Sequence, residues 1–184
     1  MRGMCECRTA LHRRLCYDGR VGYAEWYEHI SAPFRSDAAR RVVGLLDRGL
    51  VALVACGYGG ALAWLAVCQD ARILRAVLVP LATFLLVTVV RKLLDAPRPY
   101  EQFDIDPIIR KDTRGLSLPS RHIASAVIIA FALAWLNPLW GALGFVACAV
   151  VAFTRIVGGV HFPRDVAAAA VLSALCGLVG FFVL

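Results

Sequence analysis

Charged residues are scarce in this sequence and are missing from long parts of it. They make up 18% of the 184 residues, whereas hydrophobic residues make up 60%. A soluble domain of this size needs more charge on its surface, so the composition argues against one and favours a membrane protein. The uncharged runs are residues 49–69, 76–90, 123–154 and 166–184.

These runs have the lengths expected of membrane-spanning helices. A helix needs roughly 20 apolar residues to cross the hydrocarbon core of a bilayer. The run 123–154 is too long for one crossing, and Asn137-Pro138 divides it into two short ones. We therefore predict an all-α, polytopic membrane helix bundle with about five transmembrane helices. Their expected positions are roughly 47–69, 73–93, 121–137, 139–156 and 164–184.

Other features that the sequence lacks narrow the range of functions for this membrane protein. The seven cysteines show no zinc-type spacing, and Cys5, Cys7 and Cys16 are interpreted as unpaired thiols of a basic tail. The carboxylates form no evident magnesium cluster, so we predict neither a metal nor a cofactor. The first 45 residues lack the apolar core of a secretory signal. The net charge of +7 belongs to a membrane protein, and we predict no nucleic-acid partner.

The segment before the first span has an amphipathic pattern. Apolar and aromatic side chains recur there at helical spacing and share one face: Tyr23, Trp26, Tyr27, Ile30 and Phe34. Tyrosine and tryptophan favour the membrane interface, so this pattern predicts an interfacial helix. Ser36 can cap the helix that follows. We divide the chain into a basic tail with this amphipathic segment, 1–45, and a transmembrane domain, 46–184.

A long polar segment from Leu93 to Arg121 separates the second and third spans. Loops of this length are usually functional or disordered. If the five spans are correct, this segment and residues 156–164 lie on the same face of the membrane. The hairpin at 69–73 and the turn near Pro138 lie on the opposite face. The polar chemistry of the chain is therefore predicted to converge on one face.

The polar segment begins with an arginine held in a stiff backbone. Arg98 stands between Pro97 and Pro99, and each proline restricts its own φ angle and the residue before it. A guanidinium placed in this way can bind two phosphate oxygens with little loss of entropy. Arg91 and Lys92, taken alone, are better explained as charges that reach lipid headgroups at a helix end.

The polar segment ends at the start of the third span. Ser120 is predicted to be the N-cap of that helix, whose first amides would then form an anion site. His122 falls in the first turn, where it could protonate a leaving oxygen. Taken alone, His122 could also be an interfacial histidine without a role.

A third polar cluster precedes the last span. Pro163 suits the first turn of a helix. His161 and Asp165 are four residues apart and could meet around that helix start, so that the carboxylate orients the imidazole as a nucleophile. Alternatively, the pair could simply stabilise a loop. Ionisable groups at membrane spans are costly and usually functional, and the clusters together match what phosphoryl transfer to histidine requires.

The three segments resemble the motifs of the type 2 phosphatidic acid phosphatase superfamily, which also contains the vanadium haloperoxidases. The first motif of that family is a lysine, six residues and then Arg-Pro. The second is Pro-Ser-Gly-His. The third is Ser-Arg, five residues, a histidine, three residues and an aspartate. The matching residues, in the same order and spacing, are Arg91, Arg98 and Pro99; Pro119, Ser120, Arg121 and His122; and Thr154, Arg155, His161 and Asp165. The resemblance covers roughly residues 73–184.

The resemblance implies a role for each matching position. His161 would attack phosphorus and form a phosphohistidine, with Asp165 orienting it. His122 would protonate the leaving group and later activate water. The phosphoryl oxygens would be held by Arg91, Arg98, Arg155 and Ser120, with Lys92 and Arg121 as further cations. Residues 46–184 would then be a metal-independent transmembrane phosphatase domain whose partners are the bilayer and a lipid phosphate.

The chain departs from the family's pattern at three positions. Arg91 replaces the lysine, and the neighbouring Lys92 is an alternative occupant of that position. Arg121 replaces the glycine, and Thr154 replaces the serine. The extra positive charge favours a diphosphate such as undecaprenyl diphosphate. Phosphatidic acid and phosphatidylglycerol phosphate also suit a site at the membrane surface.

Two alternatives to a phosphatase deserve comparison. A catalytically silent lipid-binding or transport protein on the same scaffold would be expected to lack one of the histidines. A vanadate-dependent oxidase would be expected on a soluble scaffold. We place the chain in the cell membrane as a multi-pass protein. The arginine-rich tail puts the site in the cytoplasm, whereas bacterial lipid phosphatases of the family commonly face outward. The sequence leaves that side and the oligomeric state open.

Overall fold

The computed structural model of the protein describes residues 22–183. The predictions for Cys5, Cys7 and Cys16 therefore lie outside the described residues. Regular structure in the described range is entirely helical. The elements are α1 (22–31), a 3₁₀ turn (Ala32–Phe34), α2 (Asp37–Val67), α3 (Arg72–Leu94), α4 (Pro99–Gln102), α5 (Arg121–Leu136), α6 (Pro138–Val157), α7 (Pro163–Leu178) and a π-helical turn (Val179–Val183).

Helices α2, α3, α5, α6 and α7 each correspond to one predicted span, which confirms the polytopic helix bundle, although α2 begins at Asp37 and not near residue 47. Four of them are long and apolar enough to cross a membrane, and α5, with 16 residues, is shorter. At 1.5 Å per residue it rises about 24 Å, less than the roughly 30 Å of a bilayer core. Because the other four helices surround it, α5 needs no lipid-spanning length of its own.

The helix ends follow local sequence signals. Ser36 caps α2 as predicted, since its hydroxyl accepts a hydrogen bond from Ala39 N at 3.3 Å. Asn137 separates α5 from α6, and its side chain accepts hydrogen bonds from the first amides of α6. Pro163 occupies the first turn of α7, where its missing N–H costs nothing.

Helix α5 forms the centre of the bundle and contacts α2, α3, α6 and α7. Its buried face consists of small and branched residues, including Ile123, Ala126 and Ala130. A Cβ added at Gly144 of α6 would lie 3.1 Å from the Cβ of Ala130, so the glycine permits close packing there. Large apolar side chains on α2 and α3, in contrast, are exposed where lipid would surround them.

The bundle has two chemically different ends. The first, which we call the loop end, comprises α1, the loop 95–120, the loop 158–162 and the adjoining parts of α2, α5 and α6. The second, the hairpin end, comprises residues 68–71 and the turn at Asn137. Because α2 and α3 run in opposite directions, and α6 and α7 do the same, the polar loops gather at one end as predicted.

The N-terminal helix α1 packs onto the loop end. Tyr27 is fully buried; its hydroxyl donates to the carbonyl of Val157 at 2.9 Å and accepts from Ile108 N at 3.2 Å. Tyr23 contacts the rings of Phe103 and Phe162 at centroid distances of 4.7 and 4.9 Å. The aromatic face predicted for the membrane interface therefore covers the loops, and α2 runs without a break across the predicted domain boundary at residue 45.

The long polar loop is ordered by its own hydrogen bonds. The carboxylate of Glu101 accepts from Arg98 N at 2.7 Å and from Gly115 N at 2.9 Å. Ser117 N donates to the carbonyl of Ala96 at 2.7 Å. Asp106 pairs with Arg40 of α2 at 2.7 Å. These contacts bring the two ends of the loop together beside the helix ends that carry the histidines.

Candidate active site

A buried nucleophile candidate lies between α6 and α7. His161 is 1% exposed, and its backbone N–H donates to the carbonyl of Arg155 at 3.3 Å. This bond closes a turn in which Gly159 has a φ of +72°. A Cβ at Gly159 would lie 2.7 Å from the hydroxyl oxygen of Tyr27, so both the conformation and the space require glycine.

Ser117 connects His161 with Asp165. The Ser117 Oγ lies 2.5 Å from Asp165 Oδ2 and 3.4 Å from His161 Nδ1. When the hydroxyl donates to the carboxylate, its lone pairs face the imidazole and favour a proton on Nδ1. That tautomer leaves Nε2 free. Ser117 was not among the predicted site residues, although it begins the segment that contains Ser120 and His122.

The predicted direct contact between His161 and Asp165 is looser than expected. Nδ1 and Oδ2 are 3.8 Å apart, beyond hydrogen-bond distance. Asp165 Oδ2 instead accepts hydrogen bonds from Ser117 and from Phe162 N, because Asp165 also caps the start of α7. The other carboxylate oxygen, Oδ1, is buried without a hydrogen-bond partner among residues 22–183.

Burial lowers the pKa of His161 below its ordinary value of 6.5, and the cations Arg98 and Arg155 lower it further. Asp165 opposes this effect but does not reverse it. The imidazole is therefore neutral at pH 7 and has a lone pair on Nε2. A neutral imidazole is the form that can attack an electrophile.

Two buried arginines reach this region from α3 and the loop. Arg91, at the end of α3, donates from Nη1 to the carbonyl of Pro119 at 3.3 Å. Arg98 donates from Nε to the carbonyl of Gly115 at 3.1 Å, which leaves its terminal nitrogens for another acceptor. Lys92 and Arg121 have exposed side chains, so the structure does not bring them into the buried cluster.

A third arginine is held by an acidic residue that the sequence analysis missed. Arg155 Nε lies 2.8 Å from Asp47 Oδ1, and the two side chains are 3% and 5% exposed. The hydroxyl oxygen of Thr154 lies 3.2 Å from the same carboxylate oxygen and 2.9 Å from the carbonyl oxygen of Val151, and its single proton can serve one of the two. The Nε contact with Asp47 is an ion pair without hydrogen-bond alignment, and Nη1 is buried without a hydrogen-bond partner within residues 22–183. One signal was present in the sequence, since Asp47 is an acidic residue at the edge of a membrane span.

The start of α5 completes the cluster. Ser120 occupies the predicted N-cap position, but its buried hydroxyl makes no capping bond and has no partner in the described part of the chain. Its amide donates to the carbonyl of Asp165 at 3.2 Å, which ties α5 to α7. The first-turn amides of α5 have no side-chain cap, which is the arrangement of an anion site.

His122 faces a cavity of about 430 Å³ between α2 and the loop. Asp47 and Arg155 line the same cavity, and so does Lys111, another residue absent from the predicted site. Residues 22–183 hold no group of three or more His, Cys, Asp or Glu side chains suited to a metal ion. The arrangement thus provides a neutral histidine, a second histidine and several buried cations, which are the parts needed to transfer a phosphoryl group.

A model of the PAP2 superfamily matches residues 72–183. The chain belongs to this superfamily. The match confirms the resemblance found in the three motifs. It begins at the first residue of α3, so α1 and α2, with Tyr27 and Asp47, lie before the matched segment.

Solved PAP2-type structures share the fold. LpxE from Aquifex aeolicus superposes with a TM-score of 0.68 at 22% identity, over 85% of this chain and 92% of that chain. The transmembrane PAP2-type phosphatidylglycerolphosphate phosphatase from Bacillus subtilis gives a TM-score of 0.64 at 19% identity, over 91% and 87%. Comparison with curated proteins gives no sequence match. At these identities, the structural likeness establishes the fold of this PAP2 protein.

Proposed function

We propose that this PAP2 protein is a membrane phosphatase that hydrolyses a lipid phosphate monoester or diphosphate through a phosphohistidine. The observation that carries the proposal is the buried His161 beside Ser117 and Asp165. It lies at the same end of the bundle as the three buried arginines Arg91, Arg98 and Arg155.

In the first step, Nε2 of His161 forms a bond to phosphorus while the bond from phosphorus to the leaving oxygen breaks. The developing positive charge on the imidazole is shared through Ser117 with the buried carboxylate of Asp165. In the described part of the chain, Arg98 and Arg155 have terminal guanidinium nitrogens that make no hydrogen bond. These nitrogens can hold the equatorial oxygens, where charge stabilisation contributes most. His122 donates a proton to the leaving oxygen.

In the second step, water attacks phosphorus and the bond to Nε2 breaks. His122, now neutral, accepts a proton from that water. Inorganic phosphate leaves, and both histidines return to their starting states. The charged groups of this cycle all belong to the chain, so the proposed mechanism requires no bound metal.

The membrane bundle supports a lipid substrate. The site lies at the ends of membrane-spanning helices, and α2, which lines the cavity beside His122, has large exposed apolar side chains. A lipid could therefore reach the site sideways from a leaflet of the cell membrane. The Bacillus subtilis protein with the same fold is a phosphatidylglycerolphosphate phosphatase. Phosphatidylglycerol phosphate, phosphatidic acid and undecaprenyl diphosphate are the substrate classes to test.

The test is phosphate release by the detergent-purified full chain from these lipids, in the presence of EDTA. We expect the wild type to release phosphate and His161→Ala to release none. His29→Ala is the matched control, because His29 is an exposed histidine of α1. Phosphohistidine should be trapped in the wild type by an acid-free quench and be absent from His161→Ala.

A catalytically silent lipid-binding or transport protein is the competing function. Folded wild-type protein that binds these lipids but releases no phosphate from any of them would favour that alternative. Activity that survives in His161→Ala would contradict the proposed nucleophile.

A further inference from the structure

The cavity beside His122 lies on one side of the proposed reaction centre. His122 lines it, whereas His161 does not. The attacking group and the proton donor stand on opposite sides of the phosphorus in an in-line transfer. The cavity is therefore on the side where the leaving group departs.

The lining of this cavity is strongly positive. It contains four cations, Arg48, Arg110, Lys111 and Arg155, and one carboxylate, Asp47. Asp47 is engaged by Arg155, and Arg110 is paired with Asp106 at 3.4 Å.

No carboxylate in the lining of this cavity is paired with Lys111. Within residues 22–183 it makes no ion pair or side-chain hydrogen bond. It is half-buried, and its pKa is lowered by burial and then by the neighbouring Arg155; Asp47, the carboxylate that Arg155 contacts, opposes this shift without reversing it. A partly desolvated cation among other cations is unfavourable unless an anion joins it. Arg91, Arg98 and Arg155 are the cations proposed for the transferred phosphoryl group, and Arg155 also lines this cavity, so a second phosphate bound by Lys111 would lie next to the first.

We propose that this cavity is an anion subsite for the leaving group, in which Lys111 binds the phosphate that remains on a lipid diphosphate when its terminal phosphate is transferred. The inference rests on the proposed phosphatase function and assigns its substrate class. A neutral alcohol leaving group would give Lys111 nothing to bind. The lipid monophosphate left by a diphosphate carries its own negative charge.

The remaining wall of the cavity suits the lipid attached to that phosphate. Gly44, Val51 and Ala52 of α2 and Ile109 of the loop form its apolar part. The lipid-facing surface of α2 continues from there with exposed leucines such as Leu45, Leu46 and Leu53. The leaving lipid can thus keep its chain in the bilayer while its phosphate contacts Lys111.

The reaction balances without another reactant. Nε2 of His161 bonds to the terminal phosphorus, and the bond from that phosphorus to the bridging oxygen breaks. The bridging oxygen stays with the lipid monophosphate and takes the proton from His122. Water then releases inorganic phosphate from His161 and returns a proton to His122.

The experiment compares two substrates that differ by one phosphate, farnesyl diphosphate and farnesyl monophosphate, on the detergent-solubilised full chain. For Lys111→Gln we expect kcat/KM to fall about 10- to 100-fold on the diphosphate and to change little on the monophosphate. Lys111→Arg should retain the preference. Arg114→Gln is the matched control, since Arg114 is an exposed cation of the same loop that does not line the cavity.

The possible outcomes test the subsite proposal and the phosphatase proposal separately. An equal loss on both substrates would mean that Lys111 holds the transferred phosphoryl group, and no loss on either would mean that it binds no phosphate. Both results overturn the subsite while the phosphatase function stands. If the wild type hydrolyses neither substrate, the phosphatase function fails. Binding of a farnesyl methylenediphosphonate then decides the subsite, because equal affinity of wild type and Lys111→Gln overturns it and weaker binding by the variant supports it.

Discussion

The two ends of the bundle each carry an aspartate–arginine ion pair of similar length in opposite surroundings. At the loop end, Asp47 and Arg155 are 2.8 Å apart, and their side chains are 5% and 3% exposed. At the hairpin end, Asp70 and Arg72 are 2.6 Å apart, and their side chains are 25% and 50% exposed. The first pair joins helices α2 and α6, whereas the second joins neighbouring residues. The distance between the charged atoms therefore does not distinguish a buried ion pair that joins two helices from a surface ion pair within one turn.

The same contrast holds for the other polar groups at each end. The loop end contains buried groups without hydrogen-bond partners in the described range, such as Ser120 Oγ and Arg155 Nη1. At the hairpin end, Asn137 makes the bonds that a helix cap requires. Unsatisfied buried groups are costly and tend to mark functional sites. The comparison indicates that chemistry is concentrated at the loop end, and that the hairpin end contributes to stability.

The largest expected effect is that of His122→Asn at the loop end. Loss of a general acid should lower kcat by about 10²–10⁴-fold on an alkyl phosphate. The loss should be much smaller on p-nitrophenyl phosphate, whose leaving group needs little protonation. His29→Asn is the control for an exposed histidine. An equal loss on both substrates would remove the acid role from His122.

The next effect compares the two ion pairs directly. Asp47→Asn leaves Arg155 as an uncompensated buried charge, so the free energy of unfolding should fall by about 3–5 kcal/mol. KM should rise as well, because the guanidinium loses the contact that orients it. Asp70→Asn, at an exposed pair, should leave both quantities unchanged within error. Unfolding in mixed detergent micelles and phosphatase kinetics measure the two quantities. Similar effects of both substitutions would contradict the distinction between the ends.

A smaller effect should separate stability from activity near the hairpin end. A Cβ at Gly141 would meet the Cβ and the backbone of Ala134, so Gly141→Ala overpacks the contact between α5 and α6. We expect the free energy of unfolding to fall by about 1–3 kcal/mol, with kcat unchanged in the folded fraction. Gly57→Ala is the control, because a Cβ at Gly57 meets nothing within 4 Å. A loss of kcat per folded molecule in Gly141→Ala would show that packing here reaches the site.

The smallest expected effect is a shift in the pH at which His161 becomes protonated. Because burial lowers the pKa of His161 below 6.5, the neutral nucleophile should persist below that pH. As the pH falls, His161 is protonated at a higher pH in the unfolded chain than in the folded protein. The stability that His161 contributes is therefore present above pH 6.5 and is lost as the pH falls towards the pKa of the folded state. Histidine NMR, with the signal assigned by its absence in His161→Asn, measures this titration. A His161 signal that titrates above 6.5 would contradict the neutral nucleophile.

Much of the fold could be predicted from the sequence because a bilayer imposes simple rules. An uncharged run of sufficient length has to form a helix, since lipid offers no partners for an unpaired backbone. Counting the spans then assigned each loop to one face. The third span was predicted at 121–137, within one residue of α5, but its position at the centre of the bundle could not be read from the sequence because it depends on how the other helices pack around it.

The candidate site was predictable only in part. His122, His161 and Asp165 were found because the motif spacings are local along the chain. Ser117 and Asp47 were missed because they contact residues far along the chain, and Lys111 was missed because the cavity that it lines is formed by distant segments. Asp47, for example, contacts a residue 108 positions away, since its partner is Arg155. No pattern within α2 or the loop specifies such a partner.

By itself, the sequence determined that the chain is a helical membrane protein and that its polar loops gather at one end of the bundle. Hydrophobic run length, proline position and charge placement act locally, so they can be recognised without coordinates. The tertiary structure alone decided that Arg91 rather than Lys92 is buried, that Ser117 lies between His161 and Asp165, and that Lys111 shares a cavity with His122. These outcomes depend on which side chains face the interior when helices pack, and packing is a property of the whole bundle.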